Sequence, residues 1–354
     1  MHHFRYFATY LTSKPDWISS IFFKKISNFT HSQDTGGKRI TQAFPTLLQR
    51  DNDINGILVV DKPANISSAH VVKQLKKIPG INKIGHTGTL DPAATGVLVC
   101  PVNRATRLSS FLLADTKIYV ACMMLGIETD TQDAEGKVTA NASVDEITET
   151  VIRGTIREFE GEIDQVPPVF SALKHKGKPL YAYARQGIPV TKPARKVHIA
   201  YIRIQDIRLP RVWFEVGCAS GTYIRTLCAD IGKKLGCGGH METLRRIRCG
   251  GFDIHEAMPL EKLMAYSSLA AMKALVIPMV DALPEMPALT ADAALADRIR
   301  HGKVLFAGDL GFGENTDQTP SWIKISDENN RLLAVVTPAG DGNRYNYCCV
   351  FVNP

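Results

Sequence analysis

The sequence of 354 residues has no apolar run near the length needed to span a membrane. None of its eight cysteines falls in a Cys-x-x-Cys pair, which argues against zinc ribbons and dithiol redox motifs. A chain this long can bury a core without disulfide staples, so the thiols are expected to be reduced and mostly buried. Two nucleotide signatures are also missing. Gly96 is followed by Val97 where a P-loop needs Gly-Lys-Ser/Thr, and the glycines from Gly85 to Gly96 do not fit a dinucleotide fingerprint. There are no internal repeats and no low-complexity tract. With 45% hydrophobic and 22% charged residues the composition is that of an ordinary globular chain. A net charge of +7 favours a polyanionic partner.

What the chain does have is Gly85-His86-Thr87-Gly88-Thr89-Leu90-Asp91-Pro92, running on through Ala93-Ala94-Thr95-Gly96. Glycines open turn conformations closed to other residues, and Pro92 biases Asp91 towards extended backbone. A tight loop should therefore hold one carboxylate at a set angle, just ahead of the buried strand Val97 to Cys100. On residue types alone this is a plain turn or a nucleophile site.

Residues 1–53 carry Lys24-Lys25 and Lys38-Arg39 and few acids. The short patch Trp17 to Phe23 lacks a small-residue cleavage site after it, which argues against a secretory signal. A disordered extension or a transit-type segment fits the composition, the first being preferred.

From Asn55 the apolar run Ile57 to Val60 reads as a strand ended by Lys62-Pro63, and Ala69 to Ile78 has helical spacing. Thr116 to Gly126 is a strand by composition and carries Tyr119; Thr129 to Gly136 is a polar loop. Ser143 and Glu146 suggest a capping box before an amphipathic helix through Phe159. Between Phe170 and Gly187, basic residues including Lys174 and Arg185 interleave with aromatics including Tyr183, a pattern suited to RNA. Strands follow at Val197 to Ile204 and Val212 to Val216, then Cys218 to Leu227 with Arg225 at a helix start. The cluster Leu244 to Arg248 faces either phosphate or solvent. Pro278 to Pro287 reads as a boundary, with a helix and several short strands beyond it.

Five of these stretches, in order, resemble the TruB-type tRNA pseudouridine synthases: Gly56 to Ser68, Gly85 to Gly96, Lys117 to Gly136, Gln165 to Gly187 and Cys218 to Arg246. Departures are Asn65 for Gly, Ser67 for Thr, Ala93 for Leu and Phe170 for Tyr. The resemblance implies an α+β fold, a mixed sheet flanked by helices with a small, mostly β, PUA-like RNA-binding domain appended. Expected boundaries are an extension at 1–53, a catalytic domain at 54–287 and the PUA-like domain at 288–354. It implies isomerisation of a T-arm uridine of tRNA, position 55, without cofactor or metal, by a monomer in the cytoplasm.

In that reading Asp91 is the nucleophile, Arg225 its partner, and Tyr119 stacks on the flipped base. His86, Tyr183, Ile204, Lys62, Lys174 and Arg185 meet the substrate, Ile204 lying under the uracil and Lys62 also supporting the catalytic loop. Attack at C1′, attack at C6 and loss of a ribose proton all stay open. A catalytically inactive RNA-binding relative should lack Asp91, Tyr119 or Arg225, and all three are present. A glycosylase using Asp91 would differ in its product.

Overall fold

The computed structural model describes residues 54–354 apart from 114–115, 267, 312–319, 341–342 and 353–354. The expectations for residues 1–53 lie outside the described residues. Thirteen strands precede residue 260: β1 (Gly56–Lys62), β2 (Thr95–Val102), β3 (Lys117–Leu125), β4 (Ile127–Thr129), β5 (Val138–Asn141), β6 (Gly161–Gln165), β7 (Lys174–His175), β8 (Lys178–Pro179), β9 (Arg195–Arg208), β10 (Arg211–Cys218), β11 (Gly239–Cys249), β12 (Phe252–Asp253) and β13 (Met258–Pro259). Nine of them form one sheet in the order β13-β1-β2-β11-β3-β10-β9-β6, with β12 on β11. β1 with β13 and β2 with β11 are parallel, and the other pairs are antiparallel. The fold is α+β.

β1 and β2 read as unbroken apolar runs because both faces of this end of the sheet are covered. Ile57, Val59, Val97 and Val99 enter one core cluster, while the alternating Leu58, Val60, Leu98 and Cys100 enter another, beneath helix Ser68–Leu75. Further along, Tyr119, Ala121 and Met123 of β3 and Phe214 and Val216 of β10 pack under helices Glu149–Arg157 and Ile224–Lys234.

The helix at 149 starts later than its sequence suggests. Its cap is Thr148, which accepts from the Val151 amide at 3.4 Å. Ser143 instead closes a local turn on Asp145, donating to its carboxylate at 2.7 Å and accepting from its amide at 3.1 Å. A short hydroxyl satisfied two residues on has no call on a helix N-terminus.

Beyond the proline-rich stretch a second sheet is built from β14 (Ala288–Thr290), β15 (Leu305–Phe306), β16 (Ile323–Ser326), β17 (Leu332–Pro338) and β18 (Arg344–Val350), in the order β14-β16-β17-β18-β15. Helix Ala293–Arg300, capped by Asp292, packs on it. The two sheets share hydrophobic core. Leu332, Val335 and Phe351 cluster with Ile57, Val59, Val97 and Val99. The buried Lys324 ammonium donates to the carbonyls of Val280 and Leu283 at 2.9 and 2.7 Å. Arg104 and Arg107 donate to the carbonyls of Phe351 and Val350.

One glycine fixes how β2 meets β11. Gly96 has φ +102°, and a Cβ there would overlap the carbonyl oxygen of Arg246, its cross-strand partner. Gly96→Ala should therefore cost ~3 kcal/mol or more, from a left-handed backbone and a clash that no rotamer relieves. Urea unfolding tests this; a loss under about 1 kcal/mol would show that the strands can separate without penalty.

Candidate active site

The loop from Gly85 to Thr95 is fastened from below by side chains of three other segments. Lys62 is fully buried and donates to the carbonyls of Pro63, Ile66 and Pro92 at 2.8, 2.7 and 3.0 Å. Burial lowers its pKa to about 8, against the opposing pull of Asp91. The buried Ser68 hydroxyl bonds both the amide and the carbonyl of Leu90 at 2.9 Å. Arg246, 1% exposed, donates to the carbonyls of Val97 at 2.7 Å and Gly88 at 3.0 Å. Asn65 takes the left-handed conformation, φ +66°, and its amide reaches the Pro92 carbonyl at 2.9 Å. Asn tolerates that region better than other non-glycine residues, so this departure leaves the loop intact. Ala93 is exposed, so the smaller side chain leaves no void in the core.

Two sequence expectations change here. Lys62 cannot reach a substrate, because its ammonium is enclosed by the loops it joins. The arginine cluster faces neither phosphate nor open solvent in the way foreseen: Arg246 lies under the loop, and Arg245 pairs with Asp61 at 2.8 Å.

Asp91 emerges from this loop 34% exposed, with a guanidinium nitrogen of Arg225 at 3.6 Å from its carboxylate. Arg225 is 5% exposed and held from two further directions. Asp133 approaches it at 3.4 Å, and the Phe170 carbonyl accepts from it at 2.7 Å. Phe170 acts here through its backbone, so a hydroxyl on its ring has no part in this contact. Asp133 is itself fixed by Thr131, whose hydroxyl donates to its carboxylate at 2.5 Å, and by the Glu135 amide at 3.1 Å. The supposed polar loop therefore supplies a second carboxylate to the site. Burial raises the pKa of Asp91 above its ordinary 3.8, Arg225 and Lys62 oppose that, and the like charge of Asp133 adds to it.

Asp91 opens into a cavity of about 440 Å³ lined also by His86, Tyr119, Arg195, Tyr223, Leu244 and Arg246. The β3–β11 register sets Tyr119 against Arg246 and Ala121 against Leu244, which brings Tyr119 and Leu244 into one pocket. Burial pushes the Tyr119 hydroxyl up to about 12, so it stays a neutral phenol. Tyr223 caps helix Ile224–Lys234, its backbone clamped by the buried Gln165 at 2.8 and 3.0 Å. The guanidinium groups of Arg195 and Arg225 stand 5.2 and 5.7 Å from its ring centroid. Burial, with Arg246 nearby, lowers the His86 pKa. Nδ1 of His86 and Nε of Arg195 and Arg225 are buried without hydrogen-bond partners, and all three residues line the cavity. Polar atoms left unpaired around one cavity suit a ligand rich in hydrogen-bonding groups.

Asp91, Arg225, Tyr119 and His86 are thus brought together, while four other expected residues are not among those lining the cavity. Ile204 lies on β9, two strands from β3 and hence about 10 Å across the sheet, packed on the core beside Phe214. Leu244 is the aliphatic residue beside Tyr119. The hydroxyl of Tyr183 donates to the His175 carbonyl at 3.1 Å, and its ring meets the His175 ring edge-on. Tyr223 is the second tyrosine of the pocket. Lys174 and Arg185 are exposed on the segment between β6 and β9, Arg185 stacking over Tyr181 at 5.5 Å.

Residues 76–224 match the family model described as TruB family pseudouridylate synthase (N terminal domain), and residues 225–283 match the tRNA pseudouridylate synthase B C-terminal domain. The second sheet lies beyond both. The tRNA pseudouridine synthase B of Syntrophus aciditrophicus is 45% identical over 249 residues, 70% of this chain and 80% of that protein. The one from Haemophilus influenzae (strain ATCC 51907) is 39% identical over 292 residues, 81% and 91% of the two chains. Among solved structures, a Cbf5-Nop10-Gar1 complex matches with TM-score 0.65 at 28% identity, covering 85% of this chain and 86% of that one. An H/ACA RNP bound to a substrate RNA containing 2′-deoxyuridine matches with TM-score 0.64 at 26% identity, with 85% and 86% coverage.

Proposed function

The chain belongs to the TruB family of pseudouridylate synthases and is an isomerase of uridine in tRNA, and on that premise we propose that it converts the T-arm uridine at position 55 with Asp91 as nucleophile. The observation that carries this reading is the Asp91–Arg225–Asp133 arrangement at the mouth of a cavity lined by Tyr119. The target base is buried in the folded T arm and has to leave its stack to be reached. Tyr119 offers it a flat face, with Leu244 beside it and Tyr223 on the rim. The N1–C1′ bond then breaks, the uracil turns, and C5 bonds to C1′; N1 gains a proton and C5 loses one. Asp91 attacks as a carboxylate, and Arg225 keeps it charged and aimed. The sheet beyond residue 287 serves as the PUA-like RNA-binding part, and the enzyme works as a monomer in the cytoplasm with its tRNA.

Because burial raises the Asp91 pKa, its reactive form is lost as pH falls through a value above 3.8. Single-turnover rates should fall on the acid side with one proton, at a higher pH than an exposed aspartate would give. Arg225→Gln should move that limb upward, since the strongest opposing charge is gone. An acid limb at or below the ordinary value would contradict the role given to burial.

Product analysis tests the reaction class. An isomerisation leaves tRNA mass unchanged and frees no uracil; released uracil would make Asp91 the nucleophile of a glycosylase.

A further inference from the structure

Asp91 is the only acidic residue between Asp61 and Asp115, and the same stretch holds seven lysines and arginines. Four of them, Lys73, Lys76, Lys77 and Lys83, are exposed, with His70 exposed beside them. Lys73, Lys76 and Lys77 follow i, i+3, i+4 spacing, which puts them on one side of helix Ser68–Leu75 and its last turn. None of the four forms an ion pair among the described residues. Elsewhere exposed cations commonly have acidic partners: Arg153 with Glu149, Lys196 with Glu162, Arg208 with Asp206, Lys234 with Glu158 and Arg331 with Asp327. The strip is also continuous with the catalytic loop at both ends. The helix begins at Ser68, which is bonded to Leu90, and Lys83 lies two residues before Gly85.

We infer that this strip is a second anionic contact surface, one that grips the phosphate backbone of the tRNA whose uridine enters the Asp91 pocket. The inference rests on the proposed function and extends it to a surface outside the cavity. Lysines near a helix C-terminus also complement the helix dipole, but that accounts neither for Lys83 nor for the lack of any acid along the stretch. Lysine suits a sequence-independent contact, because a point charge on a flexible stem meets phosphate from many directions. The exposed cations between β6 and β9, Lys174 and Arg185 among them, are a separate group in the chain.

The test uses the full chain with Lys73, Lys76, Lys77 and Lys83 all changed to Gln, and full-length unmodified tRNA. The substitutions are exposed and suit a helix and a turn, so the melting temperature should stay near wild type. Affinity should fall at least tenfold at low salt. The slope of log K against log salt should shrink by about 2–3 of the roughly 0.7–0.9 expected per lost phosphate contact. The single-turnover rate at saturating enzyme should be unchanged. Lys73→Glu with Lys76→Glu should weaken binding further. Affinity and slope both at wild-type values would make the strip a solvated face and overturn the inference. Lost affinity with an unchanged salt slope would overturn it too, since no phosphate contact would have gone. If the wild-type chain makes no pseudouridine, it is the proposed function that fails, a result this binding comparison does not share.

Discussion

Asp91→Asn should bind tRNA with near wild-type affinity and form no detectable pseudouridine, a loss of more than about a thousandfold in single-turnover rate. The amide keeps the shape and hydrogen-bonding reach of the carboxylate but cannot attack carbon. Arg225 keeps its contacts with Asp133 and the Phe170 carbonyl, so the pocket should stay assembled. The stability change has a definite sign. The folded-state pKa of Asp91 is raised, so folding binds a proton more tightly than the unfolded chain does. Stability from this group is present below the unfolded value, declines as pH rises through the raised value, and stays lost at neutral pH. The variant should therefore melt at or above the wild-type temperature at pH 7. Turnover within tenfold of wild type would remove Asp91 from the chemistry.

Arg225→Lys should lose at least about a hundredfold in the chemical step, with tRNA affinity and its salt slope unchanged. The guanidinium serves three acceptors at once, Asp91, Asp133 and the Phe170 carbonyl. A single ammonium cannot hold that planar arrangement. It would also leave Asp133, 9% exposed, without an adequate partner, so a lower melting temperature should accompany the loss. Asp133→Asn separates the two effects. It keeps Arg225 and removes its buried counter-charge, and it should slow the chemical step while leaving affinity alone. The opposite pattern for Arg225→Lys, weaker binding with a smaller salt slope and a normal chemical rate, would place Arg225 on the RNA path.

The parts of this site that could be read from the sequence are those that one stretch of chain specifies by itself. Gly88, Asp91, Pro92 and Gly96 define a loop wherever they occur together, and Lys62-Pro63 and the apolar runs beside them mark the strands that carry it. Tyr119 and Arg225 were found because each lies inside a dense motif. What escaped depends on register between distant strands. Leu244 joins the pocket because β11 pairs with β3 in one alignment, and no property of Ile204 by itself shows that β9 lies two strands further off. A usable signal was present in the alternation of Leu244 and Arg246, which puts both on one face of a strand. Tyr223 lies two residues before Arg225, close enough to have been chosen over Tyr183. Asp133 looked like a solvated loop carboxylate, since its burial comes from the partners that surround it rather than from its neighbours in sequence. The boundary near Pro287 was legible as a change of sheet. The shared core was not, because Val335 and Phe351 look like any strand residues until Val97 and Val99 are seen beside them.

The most direct measurement is to incubate unmodified tRNA with the full chain and map pseudouridine nucleotide by nucleotide, with Asp91→Asn in parallel. A single pseudouridine at position 55 of the T arm with the wild-type protein, and none with the variant, is the result predicted. Pseudouridine at another position alone would contradict the substrate assignment, and equal modification by both proteins would contradict the role of Asp91.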